Sequence, residues 1–216
     1  MFDQIETLVP IATLLAAQQD TYAAQPKGEV IDAGCDRAVI THLPNATLLS
    51  IAGTRDLAGW LSDFQVWKAT LRDHPDVGPV EAGFGDGADK LWQRLAGRID
   101  RDKPLLIQGH SRGAAMVPIL AAFALIAGIK PYFCFAYEAP WSVGPACRDL
   151  LLAHRILGLT WWHGNDPVPL APAVSWLVPH VWPCVSFGTP RENPIDCHYF
   201  EAVAAALAPT AEAPHG

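Results

Sequence analysis

The sequence predicts a single-domain α/β fold with a mainly parallel central sheet flanked by helices. Three observations support this prediction. The length of 216 residues suits one core, half of the residues are hydrophobic while 17% are charged, and short apolar runs alternate with segments of helical period. Strands that alternate with helices are typical of a parallel sheet. We therefore treat residues 1–216 as one domain.

The first predicted elements are a packing helix and a hairpin. Within residues 1–24 the apolar side chains recur near helical period, and we expect Pro10 at a helix start or a kink. Residues 38–42 and 47–52 read as two β segments around a Pro44-Asn45 turn. Residues 86–99 place apolar side chains on one helical face and predict the next helix.

The alternation continues in the second half of the chain. Residues 104–108 are typical of a strand covered on both faces, and an apolar helix is expected over 113–126. Two further strand candidates, 132–137 and 156–162, flank a possible helix over 146–154. Residues 167–195 contain seven prolines and predict a long excursion, and residues 208–216 predict a flexible tail.

Composition limits the classes of partner and compartment. The formal net charge of -7 gives no electrostatic reason to bind nucleic acid or an anionic membrane surface. The acidic first residues and the lack of an apolar run of about 18 residues favour a cytoplasmic protein. Five cysteines, with no C-x-x-C pair, indicate free thiols, although Cys184 and Cys197 could pair in an exported protein.

A G-x-S-x-G sequence at residues 109–113 predicts the chemistry. It directly follows an apolar strand and precedes a helix, as a nucleophile elbow requires. Such a turn strains the serine backbone and needs glycine on both sides. We expect Ser111 to be the nucleophile of a serine carboxylic-ester hydrolase; a purely structural turn is the alternative.

A serine hydroxyl needs a histidine base and an acid that orients the imidazole. The expected acid is Asp166, which lies four residues past a strand candidate, and Glu138 is the main competing acid. The expected base is His198, at the approach to the last amphipathic helix. His180 is the rival base.

Two other histidines and one aspartate suit the triad less well. The His110 side chain should diverge from that of its neighbour Ser111, so packing is its expected role. His163 is too near Asp166 in sequence to be its obvious base, and Asp196 is expected to cap a helix.

The oxyanion that forms during attack needs donors. The amide of Arg112, directly after the nucleophile, is one expected donor, and Thr54, which follows a strand candidate, is the second. An ordinary Gly-Thr turn is the alternative for residues 53–54.

Several segments together resemble the class 3 lipases, the fungal-type triacylglycerol lipases, over roughly residues 30–207. Those segments are 51–54, similar to the family's oxyanion strand, 60–64, 80–84, the elbow at 109–113, 137–140, the NDPVP triad-acid loop at 165–169, and 198–199. The resemblance implies an α/β-hydrolase fold and favours Asp166 over Glu138 as the acid and His198 as the base.

The sequence departs from the family pattern at several positions. Ala114 replaces a second glycine, Pro118 lies inside the helix after the serine, and Ala52 replaces a basic residue. The counterpart of the family's lid helix would be residues 56–60, which is short. These departures favour an esterase over a lipase in the strict sense.

The predicted reaction is acyl-ester hydrolysis through an acyl-enzyme, without a metal or an organic cofactor. The expected partner is a small-molecule or lipid ester, with transient contact at a lipid interface and no nucleic acid. Candidates for the acyl pocket, with packing as the alternative for each, are Trp60, Phe84, Trp176 and Trp182. An acyltransferase or amidase with the same triad, and a non-catalytic binding module, are the alternative functions.

Overall fold

The computed structural model describes residues 2–54, 67–172 and 174–208. The helices are α1 (Phe2–Leu8), α2 (Ile11–Asp20), α3 (Ala82–Leu95), α4 (Arg112–Ile126), α5 (Pro145–Ala153) and α6 (Phe200–Leu207). The strands are β1 (Glu29–Ala33), β2 (Asp36–His42), β3 (Thr47–Ile51), β4 (Lys68–Thr70), β5 (Pro79–Glu81), β6 (Leu105–His110), β7 (Pro131–Tyr137), β8 (Gly158–His163) and β9 (Cys184–Phe187).

Seven strands form one sheet in the order β1-β2-β3-β6-β7-β8-β9. In this sheet β1, β2 and β3 pair antiparallel, whereas the pairs β3-β6, β6-β7, β7-β8 and β8-β9 are parallel. Strands β4 and β5 pair antiparallel in a separate two-stranded sheet. The mainly parallel sheet confirms the predicted fold class. The carboxyl ends of parallel strands meet at one edge of a sheet, so the residues after β3, β6, β7 and β8 lie at the same edge.

Successive residues of the central strands point to opposite faces of the sheet, and on each face they belong to a separate hydrophobic cluster. The face that includes Leu49 and Ile107 packs against α3, α4 and α5, while the face that includes Leu48 and Leu106 packs against α1, α2 and α6. Helix α4 is buried at every position from 113 to 124, as a helix that is apolar on all sides must be. None of the helices within the described ranges is both long and apolar enough to cross a bilayer.

The ends of several elements differ from the predictions for local reasons. The N-terminal segment forms two helices. Helix α1 ends at Leu8, shortly before Pro10, and Pro10 occupies the N-cap position of α2. Helix α3 begins four residues earlier than predicted, since the Glu81 side chain accepts a hydrogen bond from the Phe84 N–H and caps it. The proline-rich excursion contains a strand, β9, that the sequence did not reveal. This strand is mostly exposed and lacks an apolar run.

Candidate active site

Ser111 lies on the turn between β6 and α4, at the carboxyl edge of the sheet. Its backbone has φ 55° and ψ −122°, outside the regions that residues with a β-carbon favour. The flanking glycines allow this turn. A β-carbon on Gly109 would lie 2.5 Å from the carbonyl carbon of Gly113, and one on Gly113 would lie 2.4 Å from the Ile51 oxygen. The predicted elbow therefore has the geometry that its glycines indicated.

The structure brings Ser111, His198 and Asp166 together in one chain of hydrogen bonds. His198 Nε2 is 2.7 Å from Ser111 Oγ, and His198 Nδ1 is 2.6 Å from Asp166 Oδ2. The second Asp166 oxygen accepts the Val168 N–H at 3.0 Å. All three side chains are buried. Because a carboxylate can only accept, Nδ1 carries the imidazole proton and leaves Nε2 free to accept the serine proton.

The Asp166 carboxyl is held in its ionised form. Burial opposes ionisation, but the hydrogen bonds from His198 and from the Val168 N–H help to lower the pKa of Asp166 on balance. Glu138, the competing acid of the sequence analysis, lies beside Asp166, yet it is Asp166 that bonds to His198.

Polar atoms of Glu138, Asp166 and His198 lie within 4.8 Å of one another, a spacing that could hold a metal ion. Both ring nitrogens of His198 are already engaged, one by Ser111 and one by Asp166. The arrangement is therefore suited to passing a proton from the hydroxyl to the imidazole.

His110 supports the backbone of His198. Its Nε2 is 2.7 Å from the His198 carbonyl oxygen, and its Nδ1 is 2.6 Å from the Tyr22 hydroxyl. Burial, followed by the proximity of His198, lowers the pKa of His110 to about 3, so its ring is neutral. Tyr22 also accepts the Gly53 N–H at 2.9 Å and so ties this network to the end of β3. Sequence reasoning missed Tyr22, since a single tyrosine after a helix carries no local signal.

The remaining rivals lie away from the serine hydroxyl. His163 Nδ1 is 2.9 Å from the Cys197 carbonyl oxygen. His180 lines a small cavity whose walls include neither Ser111 nor His198. Burial lowers the pKa of His180 to about 4. Asp196 does not cap a helix; Asn193 caps this short turn through the Ile195 N–H, and Asp196 accepts from the Asn193 amide.

The two predicted oxyanion donors lie at the edge of the sheet that carries Ser111. Thr54 comes just after β3 and Arg112 is the first residue of α4. The Arg112 guanidinium forms a two-pronged ion pair with Asp36 of β2, at 2.7 and 3.1 Å, and also donates to the Gly83 oxygen. Their role as oxyanion donors stays a prediction.

The predicted pocket residues have different surroundings. Phe84 is fully buried against the Arg112 guanidinium, and Trp182 is buried and donates to the Ile156 oxygen; these are packing contacts. Trp176 is partly exposed beside Lys68. Trp60, with the lid counterpart 56–60, lies outside the described residues. A part in acyl binding stays a prediction for all four.

A cavity of about 320 Å³ borders the base. Three aromatic side chains and His110 supply much of its wall; the lining is Tyr22, Thr54, His110, His198, Tyr199, Phe200 and Glu201. The mixture of an aromatic wall and a few polar groups is typical of a site for a small organic ligand.

Comparisons with known proteins identify the family of the chain. The family described as Lipase (class 3) matches residues 48–176, more than half of the chain. The secreted mono- and diacylglycerol lipase A of Penicillium cyclopium and that of Penicillium camembertii are each 26% identical over 150 residues. These residues are 67% of this chain and 48% of each relative, so the chain spans about half the length of the curated relatives it matches.

Solved structures show the same fold. The triacylglyceride lipase of Rhizomucor miehei superposes with a TM-score of 0.67 at 15% identity, covering 90% of this chain and 83% of the other. The N225Q mutant of the protein MDLA from Penicillium cyclopium superposes with a TM-score of 0.63 at 20% identity, covering 89% of this chain and 83% of the other.

The relatives overturn one expectation of the sequence analysis. Both Penicillium proteins are named as secreted, so the cytoplasmic assignment is wrong. That assignment relied on the acidic first residues and on the lack of an apolar run of about 18 residues. All five cysteines are free in the structure, including Cys184 and Cys197.

The match over residues 48–176 includes β3, the Ser111 elbow and the Asp166 loop. The sheet order, the superpositions and the order serine, aspartate, histidine along the chain all agree with it. This chain is a member of the class 3 lipase family and has the α/β-hydrolase fold.

Proposed function

We propose that this chain is a serine carboxylic-ester hydrolase acting on lipid esters, with Ser111 as nucleophile, His198 as base and Asp166 as the orienting acid. One observation carries the proposal. The Ser111 hydroxyl, the His198 imidazole and the Asp166 carboxylate form one unbroken line of hydrogen bonds at 2.7 and 2.6 Å. A neutral serine is a weak nucleophile, and this line provides the means to remove its proton as it attacks.

The reaction follows from the geometry in two halves. As Ser111 Oγ bonds to the ester carbonyl carbon, its proton passes to His198 Nε2, and Asp166 supports the imidazolium that results. The amides of Thr54 and Arg112 stabilise the oxyanion. The alcohol leaves with the proton from Nε2. Water then attacks the acyl-enzyme with His198 again as base, which releases the acid and restores Ser111.

The substrate class is proposed from the cavity and from the relatives. The aromatic lining beside His198 suits an apolar acyl chain, and the Penicillium relatives are named as mono- and diacylglycerol lipases. A partial glyceride is therefore the preferred substrate, and export from the cell is inferred from the same relatives. Exposed Tyr199 beside the cavity, with half of its side chain accessible, suits transient contact with a lipid interface.

Activity of paired serine variants tests the proposal. Wild type, Ser111→Ala and Ser186→Ala are assayed on nitrophenyl esters of increasing chain length and on mono-, di- and triacylglycerol emulsions. Ser186 is the matched control because it is an exposed serine on β9. Loss of the nucleophile should lower turnover by about a millionfold, while the control keeps wild-type activity. Activity that survives in Ser111→Ala, or its absence from the wild type, contradicts the proposal.

A further inference from the structure

Glu138 is a second buried carboxyl group beside the proposed triad, and the mechanism above gives it no task. It directly follows β7 and is fully buried. Its φ of 53° lies in the left-handed region, which residues with a β-carbon avoid. Burying a carboxyl group in such a strained position is unfavourable unless specific contacts compensate for it.

The two oxygens of Glu138 have different surroundings. Oε1 accepts the main-chain N–H of His163 at 2.6 Å. Oε2 is buried, and it accepts no hydrogen bond from an N–H or O–H group of the residues that the structure describes. A carboxyl oxygen of Glu138 lies within 4.8 Å of one of Asp166. Two buried carboxyl groups this close disfavour a state in which both are ionised, so the pair favours holding one proton.

The surroundings decide which carboxyl holds that proton. Asp166 accepts from His198 and from the Val168 N–H, whereas Glu138 accepts from a single amide. The ionised form is therefore better stabilised at Asp166 than at Glu138.

The titratable groups near Glu138 are Asp166, His198, a ring nitrogen of which lies within 4.8 Å of the Glu138 carboxyl, and, on the edge strand β9, the Cys184 thiol. Neither Asp166 nor Cys184 supplies a positive charge. Burial, then the hydrogen bond and the charge of Asp166, raise the pKa of Glu138 well above its ordinary value.

We propose that Glu138 is a positioning residue that stays protonated at neutral pH and donates its O–H to the Asp166 carboxylate. This donor stabilises the Asp166 anion and fixes the carboxylate plane toward His198 Nδ1. The effect on catalysis rests on the function proposed above, whereas the location of the proton does not.

Kinetics of two variants test the catalytic effect. Glu138→Gln keeps an N–H donor for Asp166 and a carbonyl acceptor for the His163 N–H, while Glu138→Leu is similar in size and has neither. Loss of a hydrogen bond to a charged group should lower kcat of the leucine variant by about ten- to a hundredfold. The glutamine variant should lose no more than about threefold.

The pH profile separates positioning from a merely structural role. Without its donor, the Asp166 carboxylate is more basic and holds the imidazolium proton more strongly. The acid limb of kcat/KM should therefore move to higher pH in Glu138→Leu and stay near the wild-type limb in Glu138→Gln. A structural defect would lower activity without moving that limb.

Stability against pH tests the proton without any assay of activity. A glutamate in the unfolded chain ionises near pH 4.3, but Glu138 stays protonated in the fold, so wild-type stability falls as pH rises above that value. The folding equilibrium constant of Glu138→Gln relative to wild type should rise by up to about tenfold per pH unit, measured by urea unfolding from about pH 5 to about pH 8. Glu192→Gln, at an exposed loop position, is the control and should show a constant ratio.

The outcomes are distinct. A rising ratio together with rescue by glutamine supports the proposal. A flat ratio, or a glutamine variant as impaired as the leucine variant, overturns it. A flat ratio of folding equilibrium constants, together with esterase activity that depends on Ser111, refutes only the proposal for Glu138. A wild type without esterase activity refutes only the proposed function.

Discussion

Asp36 and Arg112 form a buried ion pair, so removing the negative charge of Asp36 should lower the free energy of unfolding. The Arg112 guanidinium donates to both Asp36 oxygens. The Asp36 side chain is 4% exposed and the Arg112 side chain is 16% exposed. Removing one partner of a buried pair costs about 3–5 kcal/mol. In Asp36→Asn, Arg112 keeps the Gly83 oxygen and one acceptor, the amide oxygen, in place of two carboxylate oxygens. We therefore expect a smaller loss of about 2–3 kcal/mol in the free energy of unfolding.

Urea unfolding with fluorescence detection measures this loss as a lower midpoint with an unchanged slope. In a chain of this size the melting temperature should fall by about 4–12 °C. The control is Asp32→Asn, because Asp32 pairs with Arg37 through the same two guanidinium nitrogens but is 56% exposed. That pair should contribute less than about 1 kcal/mol, and added salt should weaken it further. Losses that agree within about 0.5 kcal/mol for the two variants would refute the argument from burial.

Three further predictions concern the site. Asp166→Asn should lower kcat by about ten-thousandfold; a loss below about tenfold would show that Glu138 can act as the acid. Gly113→Ala puts a β-carbon 2.4 Å from a β3 carbonyl and should cost at least about 2 kcal/mol of stability, whereas Gly97→Ala meets no atom within 4 Å and should be neutral or stabilising; equal melting temperatures would contradict this. Tyr22→Phe removes the hydroxyl that joins His110 to the end of β3, so stability should fall by about 1 kcal/mol and kcat should fall with it, checked by melting and ester hydrolysis.

The parts of the fold that sequence patterns revealed are those with a strong apolar pattern of their own, either buried on both faces, as in β6, or on one helical face, as in α3. The run at β6 is buried throughout and α4 is buried from 113 to 124, so their composition alone separates them from surface elements. Strands β1 and β9 were missed because they lie at the two edges of the sheet and carry exposed or charged residues. A short edge strand depends on its neighbour for its conformation, which no local pattern can reveal.

The residues of the candidate site likewise divide into those with a local sequence signal and those without one. The sequence predicted Ser111 because the elbow imposes glycines at fixed spacing, and Asp166 and His198 because they follow predicted elements and lie in segments that resemble the family, and the structure brings the three side chains together. The contact between Glu138 and Asp166 could not be found in this way. It depends on the register of β7 with β8, in which Tyr137 lies beside Trp161. Hydrophobic periodicity fixes which face a side chain occupies, but it does not fix which residues of neighbouring parallel strands lie side by side.

The position of the base late in the chain has a consequence for biosynthesis. His198 is seated against His110, and the adjoining helix α6 packs on Tyr22 at the end of α2, so elements from both ends of the described chain must dock before the imidazole reaches the serine. While a ribosome is still adding residues before position 198, the nascent polypeptide carries the hydroxyl but no partner for it. The line of hydrogen bonds from Ser111 to Asp166 can therefore form only after residue 198 has been added and helix α6 has docked.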